Sequence, residues 1–386
     1  MRVVHVVSTL DPAAGGPSQV ALRLAAAQSA LGHEIHILFY STPADRERTE
    51  REIERVPFHD RIQFHPLLDP GRVEYLLARR ARHMVGALTP TSDFIHIHGV
   101  WGSILKAAAE VAFGRGVPYC FQPHGMLDPW SLGQKRWKKR IGLAVGYGAA
   151  LRRSSFIHAL NGDEARLIKP LNLGERTVII PNGFFFEEIS PLPQMGTFRA
   201  AHPELGSQPY ILFLARLHPK KGLDILADAF SLLARQREDV RLVVAGPDGG
   251  ARADFEARVA SADVTDRVHV VGALYGRDKF AALVDAACFC LPSRQEGFSV
   301  AITEAMACAV PVVISEACHF PEVSDAKAGI VVPLRVDALV AALGEILASH
   351  SDAARMGAAG VALVKSRYTW DVVARQTISQ YREVLR

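Results

Sequence analysis

The chain has 386 residues and a formal net charge of +4; 49% of its residues are hydrophobic and 22% are charged. This length suits two α/β domains of ordinary size, and the balance is typical of a globular chain rather than a disordered one. A charge this close to neutral requires no nucleic-acid partner, so we expect none. No apolar run approaches the roughly 20 residues that cross a bilayer, which excludes a membrane-spanning segment.

The cysteines and the first residues indicate a reducing compartment. The five cysteines are scattered and form no CxxC pair, which favours reduced thiols. Residues 1–10 are apolar but too short for a signal peptide, and they run directly into Asp11-Pro12. We therefore interpret them as a first strand and expect a cytoplasmic protein.

Short apolar runs rich in β-branched residues alternate with helical patterns, which predicts parallel α/β architecture. In the first half of the chain these runs cover residues 3–7, 35–39, 94–97, 118–121, 156–159 and 178–180. In the second half they cover residues 211–214, 242–244, 268–271, 288–291 and 310–314. The pattern predicts two sheets, each within its own Rossmann-like domain.

A proline-rich stretch at residues 190–196 is typical of a linker. It predicts a first domain over 1–189, a second over 190–367, and a terminal helix over 368–386 that can return to the first domain. A cleft between the domains would collect the carboxyl ends of both sheets, where α/β folds bind ligands. The sequence has neither GxxxxGK[ST] nor GxGxxG, which weakens the ATPase and dinucleotide interpretations.

The most informative segment, residues 292–307, follows a predicted strand, turns at Gly297 and enters a helix. Glu296 and Glu304 are separated by seven residues, and two such carboxylates can accept hydrogen bonds from sugar or ribose hydroxyls. Alternatively, Glu296 is an acid at a helix start and Glu304 a surface residue. Because residues 300–309 are otherwise almost wholly apolar, Glu304 requires a partner, which favours a functional role.

This acidic pair resembles the E-x7-E motif of retaining glycosyltransferases of the GT-B fold, specifically family four. The likeness extends over nearly the whole chain, because further segments resemble the family's motifs in the same order and spacing. These segments are Gly15-Gly16-Pro17, His96-Ile97-His98-Gly99, Pro181-Asn182-Gly183, and Arg216 with Lys221-Gly222.

The resemblance implies a role for each matched residue. Arg216 and Lys221 would bind the diphosphate, His124 would contact the donor sugar near the leaving phosphate, and Glu296 would hold the sugar. Glu304 would bond the ribose hydroxyls. The remaining donor-binding residues would be Gly15, Gly16, Val271, Gly272, Ser293, Gly297, Phe298 and Ser299. The alternative for Arg216 and Lys221 is a pair of solvent-facing cations, although their position after a strand favours a function. The alternative for His124 is a turn histidine that bonds a backbone carbonyl. In isolation, the glycine pair is better explained as a flexible turn.

The sequence shows no DxD triplet of the kind that holds a divalent ion across a diphosphate. We therefore expect metal-independent catalysis and no cofactor besides the nucleotide-sugar donor. His96 and His98 share one strand face, but two imidazoles without a nearby Cys or acid make a poor metal site, so we interpret them as cleft-lining or structural. Asp128 is a weak candidate for a catalytic nucleophile.

A basic segment with tryptophans suggests contact with an anionic lipid surface; the alternative is a solvated helix face. In the family, the first domain recognises the acceptor. Because this segment and Trp101 lie in that domain, we favour a lipid-linked glycan acceptor in surface polysaccharide synthesis, at the inner face of the cell membrane. The residues of the segment are Trp130, Lys135, Arg136, Trp137, Lys138, Lys139 and Arg140.

The sequence thus predicts a retaining glycosyltransferase. Two alternatives stay open at this point: another nucleotide-sugar enzyme of the epimerase or phosphorylase type, and a catalytically silent glycosyltransferase-like subunit that scaffolds a partner. The residues name neither the sugar nor the nucleotide base.

Overall fold

A computed structural model describes residues 1–134, 136–173 and 176–386. Lys135 and the side chain of Trp130, both named above as membrane contacts, lie outside this description. The described chain separates into two compact units. Unit 1 comprises Met1–Glu188 with Trp370–Arg386, and unit 2 comprises Ile189–Thr369.

Unit 1 is built on a seven-stranded parallel sheet with strand order β3-β2-β1-β4-β5-β6-β7. The chain order changes direction between β1 and β4, so the carboxyl ends of these two neighbouring strands form a switch point. The strands are β1 Arg2–Val7, β2 Glu34–Ser41, β3 Ile62–Leu68, β4 Phe94–His98, β5 Tyr119–Gln122, β6 Phe156–Ala159 and β7 Thr177–Ile179.

Helices cover both faces of this sheet, as parallel strands require. Val4 and Val6 face one apolar layer, and Val3 and Val7 face the other. The helices are α1 Gly16–Ala30, α2 Arg46–Arg55, α3 Arg72–Leu77, α4 Arg79–Leu88, α5 Ser103–Gly114, α6 Pro129–Gly133, α7 Arg136–Gly142, α8 Gly148–Arg152 and α9 Gly162–Ile168. A kinked turn, Leu143–Tyr147, joins α7 to α8.

Unit 2 contains a six-stranded parallel sheet with strand order β10-β9-β8-β11-β12-β13, whose switch point lies between β8 and β11. Its strands are β8 Tyr210–Leu214, β9 Arg241–Ala245, β10 Val268–Gly272, β11 Cys288–Leu291, β12 Val312–Ser315 and β13 Gly329–Val332. Its helices are α10 Thr197–Ala201, α11 Leu223–Gln236, α12 Arg252–Ser261, α13 Gly276–Val284, α14 Val300–Ala307, α15 Glu322–Asp325, α16 Val336–Ala348 and α17 His350–Arg367.

The last helix, α18 (Trp370–Val384), belongs to unit 1 although it follows unit 2 in the chain. The Tyr381 ring stacks on Phe94 with the ring centroids 4.1 Å apart, and its hydroxyl lies 2.5 Å from His96 Nδ1. Trp370 and Ile378 join the same buried apolar layer. The end of the chain is therefore part of the unit 1 core. Across the described residues, no helix combines the length and apolarity needed to span a bilayer.

Two strands, β3 and β13, are absent from the sequence prediction, and both are edge strands. An edge strand needs less continuous apolar character because one of its sides is unpaired. Strand β3 also contains Pro66, which is tolerated at an edge but argues against a central strand. The parallel α/β class predicted from the sequence is confirmed.

One close backbone approach fixes the switch point of unit 2. The 3-10 turn Pro219–Lys221 after β8 ends at Gly222, where φ is +72°. A Cβ at Gly222 would lie 1.9 Å from the carbonyl oxygen of Pro292, the first residue after β11. Glycine is therefore required at this position both by the dihedral angle and by the space.

We expect Gly222→Ala to lower the free energy of unfolding of unit 2 by about 2–4 kcal/mol, because it combines a left-handed alanine with a backbone clash. Denaturant unfolding measures this loss. Gly344→Ala in α16 is the matched control: an added Cβ there meets no described atom within 4 Å, so the variant should be at least as stable as the parent. Equal stability of Gly222→Ala and the parent would contradict the requirement for glycine at this position.

Candidate active site

The loops after β8 and β11 meet at the switch point of unit 2. The backbone N–H of Arg294 donates to the carbonyl of Lys220 at 2.7 Å, and the Ser293 hydroxyl donates to the same carbonyl at 3.0 Å. The Arg294 guanidinium forms two hydrogen bonds, of 2.8 and 2.6 Å, with the carboxylate of Asp224. Arg294 and Ser293 therefore join the two loops and fix the relative positions of the residues that they carry.

Lys221 and Glu296, predicted from separate motifs, are brought together at this point. Lys221 Nζ lies 2.5 Å from Glu296 Oε1. Glu296 is 8% exposed, and its backbone N–H donates to the carbonyl of Ala317 at 3.0 Å. The pair places an ammonium beside a carboxylate at the carboxyl edge of the sheet. An ammonium can neutralise a phosphate, and a carboxylate can accept hydrogen bonds from hydroxyls.

Glu304 lies in the second turn of α14 and is also held by a lysine. Lys279 Nζ lies 2.5 Å from Glu304 Oε1, and the carboxylate is largely buried. The sequence argument required a partner for Glu304 but did not identify it. Lys279 comes from α13, the helix that follows β10, so only the tertiary structure shows the pairing. Val271 and Gly272, predicted near the nucleotide base, end that same strand.

Arg216 follows β8 and is exposed. Its methylene stem lies over Gly249, where an added Cβ would be 3.0 and 3.1 Å from Arg216 Cγ and Cδ. Gly249 is thus a residue that the sequence argument missed, because its role depends on a side chain from another loop. Within the described part of the chain, the Arg216 guanidinium has no hydrogen-bond partner. Arg216 is thus a cation whose methylene stem packs against Gly249 at the edge of the site.

The remaining unit 2 candidates surround the start of α14. Ser299 is buried and occupies the N-cap position, although its side chain makes no capping hydrogen bond. The Phe298 ring packs with Phe320 and Tyr368 at centroid distances of 5.6 and 5.9 Å. These contacts fix the turn that contains Gly297, and α14 begins at Val300, four residues after Glu296.

In unit 1, a cavity of about 110 Å³ lies at the β1/β4 switch point. Gly15, the N-cap residue of α1, has a φ of +101°, and a Cβ added at Gly15 or Gly16 meets no described atom within 4 Å. The glycine pair therefore leaves open space beside the cavity. The cavity is lined by Val7, Ser8, Thr9, Ala14, Pro17, Ser18, His98, Gly99, Val100, Trp101, Leu105 and Met126.

Trp101 connects this cavity to the basic segment. Its ring lies 5.6 Å from Lys139 Nζ of α7 and 5.7 Å from the Tyr147 ring. Lys139 Nζ also donates to the carbonyl of Ser131 at 2.6 Å. Lys139 is therefore a structural residue on the back of the cavity wall, whereas its neighbours Lys138 and Arg140 are exposed.

His124 follows β5 with φ of +54°, and its ring stacks on His98 at a centroid distance of 5.7 Å. Burial lowers the pKa of His124 to about 3, so the imidazole is neutral near pH 7. The next residue, Gly125, donates its N–H to Glu164 Oε1 at 2.6 Å. Glu164 of α9 thus positions the His124 turn, a role that the sequence argument missed. Burial raises the pKa of the Glu164 carboxyl.

Asp128, the weak candidate for a nucleophile, has a structural role. Its carboxylate Oδ1 accepts the N–H of Ser131 at 2.5 Å and caps α6. N-cap aspartates are common in proteins and need no catalytic explanation.

His5, His96 and His98 form a buried group whose nitrogen atoms lie within 4.8 Å of one another. The rings of His96 and His98 are parallel, with an interplanar angle of 4° and centroids 4.3 Å apart. A metal ion lies close to the plane of each imidazole that binds it, and two stacked parallel rings share no such position. We therefore interpret the group as a hydrogen-bonded cluster.

Unit 2 thus contains two lysine–carboxylate pairs, and unit 1 contains a cavity at its switch point with a buried, neutral histidine in its wall. Comparisons with known proteins identify the class. The family described as Glycosyl transferases group 1 matches residues 194–362, and the Glycosyl transferase 4-like domain matches residues 15–183. The chain belongs to the group 1 glycosyl transferases of family-four type and has the GT-B fold.

Among its relatives is a phosphatidyl-myo-inositol mannosyltransferase of Mycobacterium leprae, 34% identical over 58% of this chain and 58% of that protein. A GDP-mannose-dependent alpha-(1-6)-phosphatidylinositol monomannoside mannosyltransferase of Mycolicibacterium smegmatis is 32% identical over 50% of this chain and 52% of that protein. The matches thus span little more than half the length of these relatives.

The fold similarity extends over the whole chain. Sucrose-phosphate synthase from Thermosynechococcus elongatus superimposes with a TM-score of 0.71, covering 100% of this chain and 99% of that chain at 21% identity. This likeness concerns the fold alone.

The buried histidines make stability depend on pH. Burial lowers the pKa of His5 and of His158 from 6.5 to about 4 each. Above pH 6.5 these histidines are mostly neutral in both the folded and the unfolded chain, so their burial does not oppose folding. As the pH falls towards 4 the free energy of unfolding decreases, because the unfolded chain then binds protons that the folded chain does not. For His5 alone the loss is about 2 kcal/mol by pH 5.

We therefore expect the free energy of unfolding of unit 1 to fall steeply between pH 7.5 and 5, as measured by denaturant titration at each pH. His158→Asn removes one of these groups. The slope of the free energy of unfolding against pH should therefore fall by the equivalent of about one bound proton. A free energy of unfolding that is constant over this range would contradict the prediction.

Proposed function

We propose that this chain transfers a sugar from a nucleotide-diphosphate sugar to an acceptor hydroxyl with retention of the anomeric configuration. The Lys221–Glu296 ion pair at the unit 2 switch point carries the proposal. Its two charges suit the two parts of the donor, since the ammonium complements the diphosphate and the carboxylate complements the sugar hydroxyls. Neither the family matches nor the relatives named above support an epimerase, a phosphorylase or a silent subunit.

Each residue then has a distinct role. Arg216 and Lys221 stabilise the negative charge that grows on the diphosphate as the sugar leaves. Glu296 orients the sugar, and Glu304, held by Lys279, accepts the ribose hydroxyls. His124, as a neutral imidazole, contacts the donor sugar near the leaving phosphate.

Retention follows from attack on the same face that the diphosphate leaves, with a phosphate oxygen taking the proton of the acceptor hydroxyl. The alternative, a double displacement, needs a carboxylate nucleophile. Two unit 1 carboxylates close to the His124 turn do not favour it, because Asp128 caps α6 and Glu164 accepts the N–H groups of Gly125 and Leu160. Because Arg216 and Lys221 supply positive charge, the proposed reaction requires no metal ion.

The names of the relatives favour mannose from GDP-mannose as the donor and an inositol lipid or a lipid-linked glycan as the acceptor. The unit 1 cavity supports a lipid-anchored acceptor. Its wall residue Trp101 contacts Lys139 of α7, so the cavity lies directly behind the basic segment. A head group in the cavity would place its lipid tail near that segment.

The basic segment has the character of a peripheral membrane contact. Trp137 and Ile141 are 65% and 54% exposed and lie four residues apart in α7, which places them on one side of that helix. Val145, which is 66% exposed, lies in the kinked turn that follows. The flanking basic side chains of Lys138 and Arg140 complement anionic lipid. We place this contact at the cytoplasmic face of a membrane, in keeping with five free, buried cysteines.

The first experiment incubates the protein with GDP-mannose and phosphatidylinositol vesicles in excess chelator. We expect a mannolipid with the configuration of the donor, formed at the same rate with and without chelator, and slower reaction with UDP- and ADP-sugars. Arg216→Gln should lower kcat about 100-fold, because it removes one charge that stabilises the leaving group.

Arg235→Gln in α11 is the matched control, since Arg235 is also exposed and follows the same strand; its kcat should equal that of the parent. Conversion of the donor without acceptor would favour an epimerase. Activity that is lost in chelator and restored by manganese would contradict metal independence.

The membrane contact is tested separately by vesicle sedimentation. Lys138→Glu with Arg140→Glu should lower binding to phosphatidylglycerol vesicles ~30-fold, since each basic residue contributes ~1 kcal/mol at an anionic surface. Arg51→Glu with Arg55→Glu in α2 makes the same change in net charge elsewhere in unit 1 and should bind as the parent does. Equal binding of both double variants would reject this surface.

A further inference from the structure

A chain of hydrogen bonds connects the terminal helix to the unit 1 cavity. Gln28 Nε2 donates to the Tyr381 hydroxyl at 3.4 Å, and Gln28 Oε1 lies 2.9 Å from His5 Nε2. On the other side of the same imidazole, His5 Nδ1 lies 2.9 Å from His98 Nε2. All four side chains are buried, and His98 is 1% exposed. The chain therefore runs through the core and ends at a residue of the cavity wall.

Both histidines of this chain are neutral near pH 7. Burial lowers the pKa of His5 to about 4 and that of His98 well below its usual value. A neutral imidazole has one N–H group and one bare nitrogen. The position of the proton on one ring therefore determines its position on the next.

Gln28 determines which ring nitrogen of each histidine carries the proton. Its amide oxygen can only accept, so the proton of His5 is on Nε2 and His5 Nδ1 is bare. His5 Nδ1 must then accept the N–H of His98 Nε2. By the same argument, His98 Nδ1 is bare and is a hydrogen-bond acceptor. Within the described residues, His98 Nδ1 has no partner.

The cavity around His98 suits a hydroxyl-bearing ligand. Nδ1 and Nε2 lie on different edges of the imidazole, and His5 occupies the Nε2 edge. Trp101 adds an aromatic wall, and Gly99 and Ser18 are small. A bare, buried nitrogen requires a donor, and a polyol or sugar hydroxyl supplies one.

We propose that His98 Nδ1 accepts a hydrogen bond from a hydroxyl of the acceptor substrate, and that Gln28 is a positioning residue that sets the His98 tautomer through His5. The ligand class is a polyol or sugar head group. This inference rests on the proposed transferase function, because it identifies how the same reaction binds its acceptor.

The tautomer is tested without any activity measurement. Long-range ¹H–¹⁵N spectra of the full-length protein, assigned with His98→Asn and His5→Asn, report which ring nitrogens carry protons. We expect an unprotonated Nδ1 and a protonated Nε2 at His98, and the reverse arrangement at His5. In Gln28→Leu the oxygen that sets the direction is removed, so His98 should show a mixture of both tautomers. A protonated His98 Nδ1 in the parent protein overturns the proposal.

The hydrogen bond to substrate is tested by kinetics with phosphatidylinositol as the acceptor probe and GDP-mannose as the donor. His98→Leu should raise the KM for the lipid at least tenfold and leave the KM for GDP-mannose unchanged. His98→Asn keeps an oxygen near the place of Nδ1 and should recover part of the affinity. Gln28→Leu should show a smaller increase in the lipid KM.

The outcomes separate this inference from the proposed function. If the parent transfers mannose and His98→Leu has the lipid KM of the parent, the His98 role is wrong and the transferase function stands. If the parent transfers no sugar from any nucleotide donor to this lipid, the proposed function fails, and the spectra still decide the tautomer of His98.

Discussion

The arrangement of unit 2 depends on the close approach between Gly222 and Pro292. Because the two backbones come together there, the loops after β8 and β11 are hydrogen-bonded to each other, and Lys221 and Glu296 meet. A largely buried ion pair is a poor source of stability, since both charges lose solvation. Its position at the switch point instead agrees with the donor-binding role proposed for it above.

The two units differ in the charge state of their candidate site residues and of the side chains packed around them. Unit 2 contains lysine–carboxylate ion pairs. Their ammonium groups complement a diphosphate, and their carboxylates complement the hydroxyls of a nucleotide sugar. Unit 1 offers neutral imidazoles, because burial lowers the pKa of every histidine in its cluster. An uncharged acceptor hydroxyl needs an aligned hydrogen-bond partner more than a counter-charge. This division suits a reaction in which charge builds on the donor while the acceptor remains neutral until it loses its proton.

Sequence reasoning identified the parallel α/β class, every strand except β3 and β13, and the residues Lys221 and Glu296 that meet at the unit 2 switch point. The strands were accessible because apolar runs mark them, and Glu296 with Glu304 because their spacing lies within one continuous segment. Lys221 was identified only through the family resemblance. Lys279 and Glu164 were missed since each acts on a residue at least 25 positions away in the chain. The Gln28–His5–His98 chain was missed for the same reason, and the strands β3 and β13 because edges carry weaker apolar patterns.

The five cysteines have a practical consequence. All five are buried in the structure, and burial raises the pKa of Cys318 to about 11 and those of Cys288 and Cys308 to about 12. Thiols nucleophilically attack reagents as thiolates, so these side chains are poorly reactive near neutral pH. A single cysteine introduced on an exposed helix would consequently be the preferred site for a fluorophore or spin label, without removal of the native thiols.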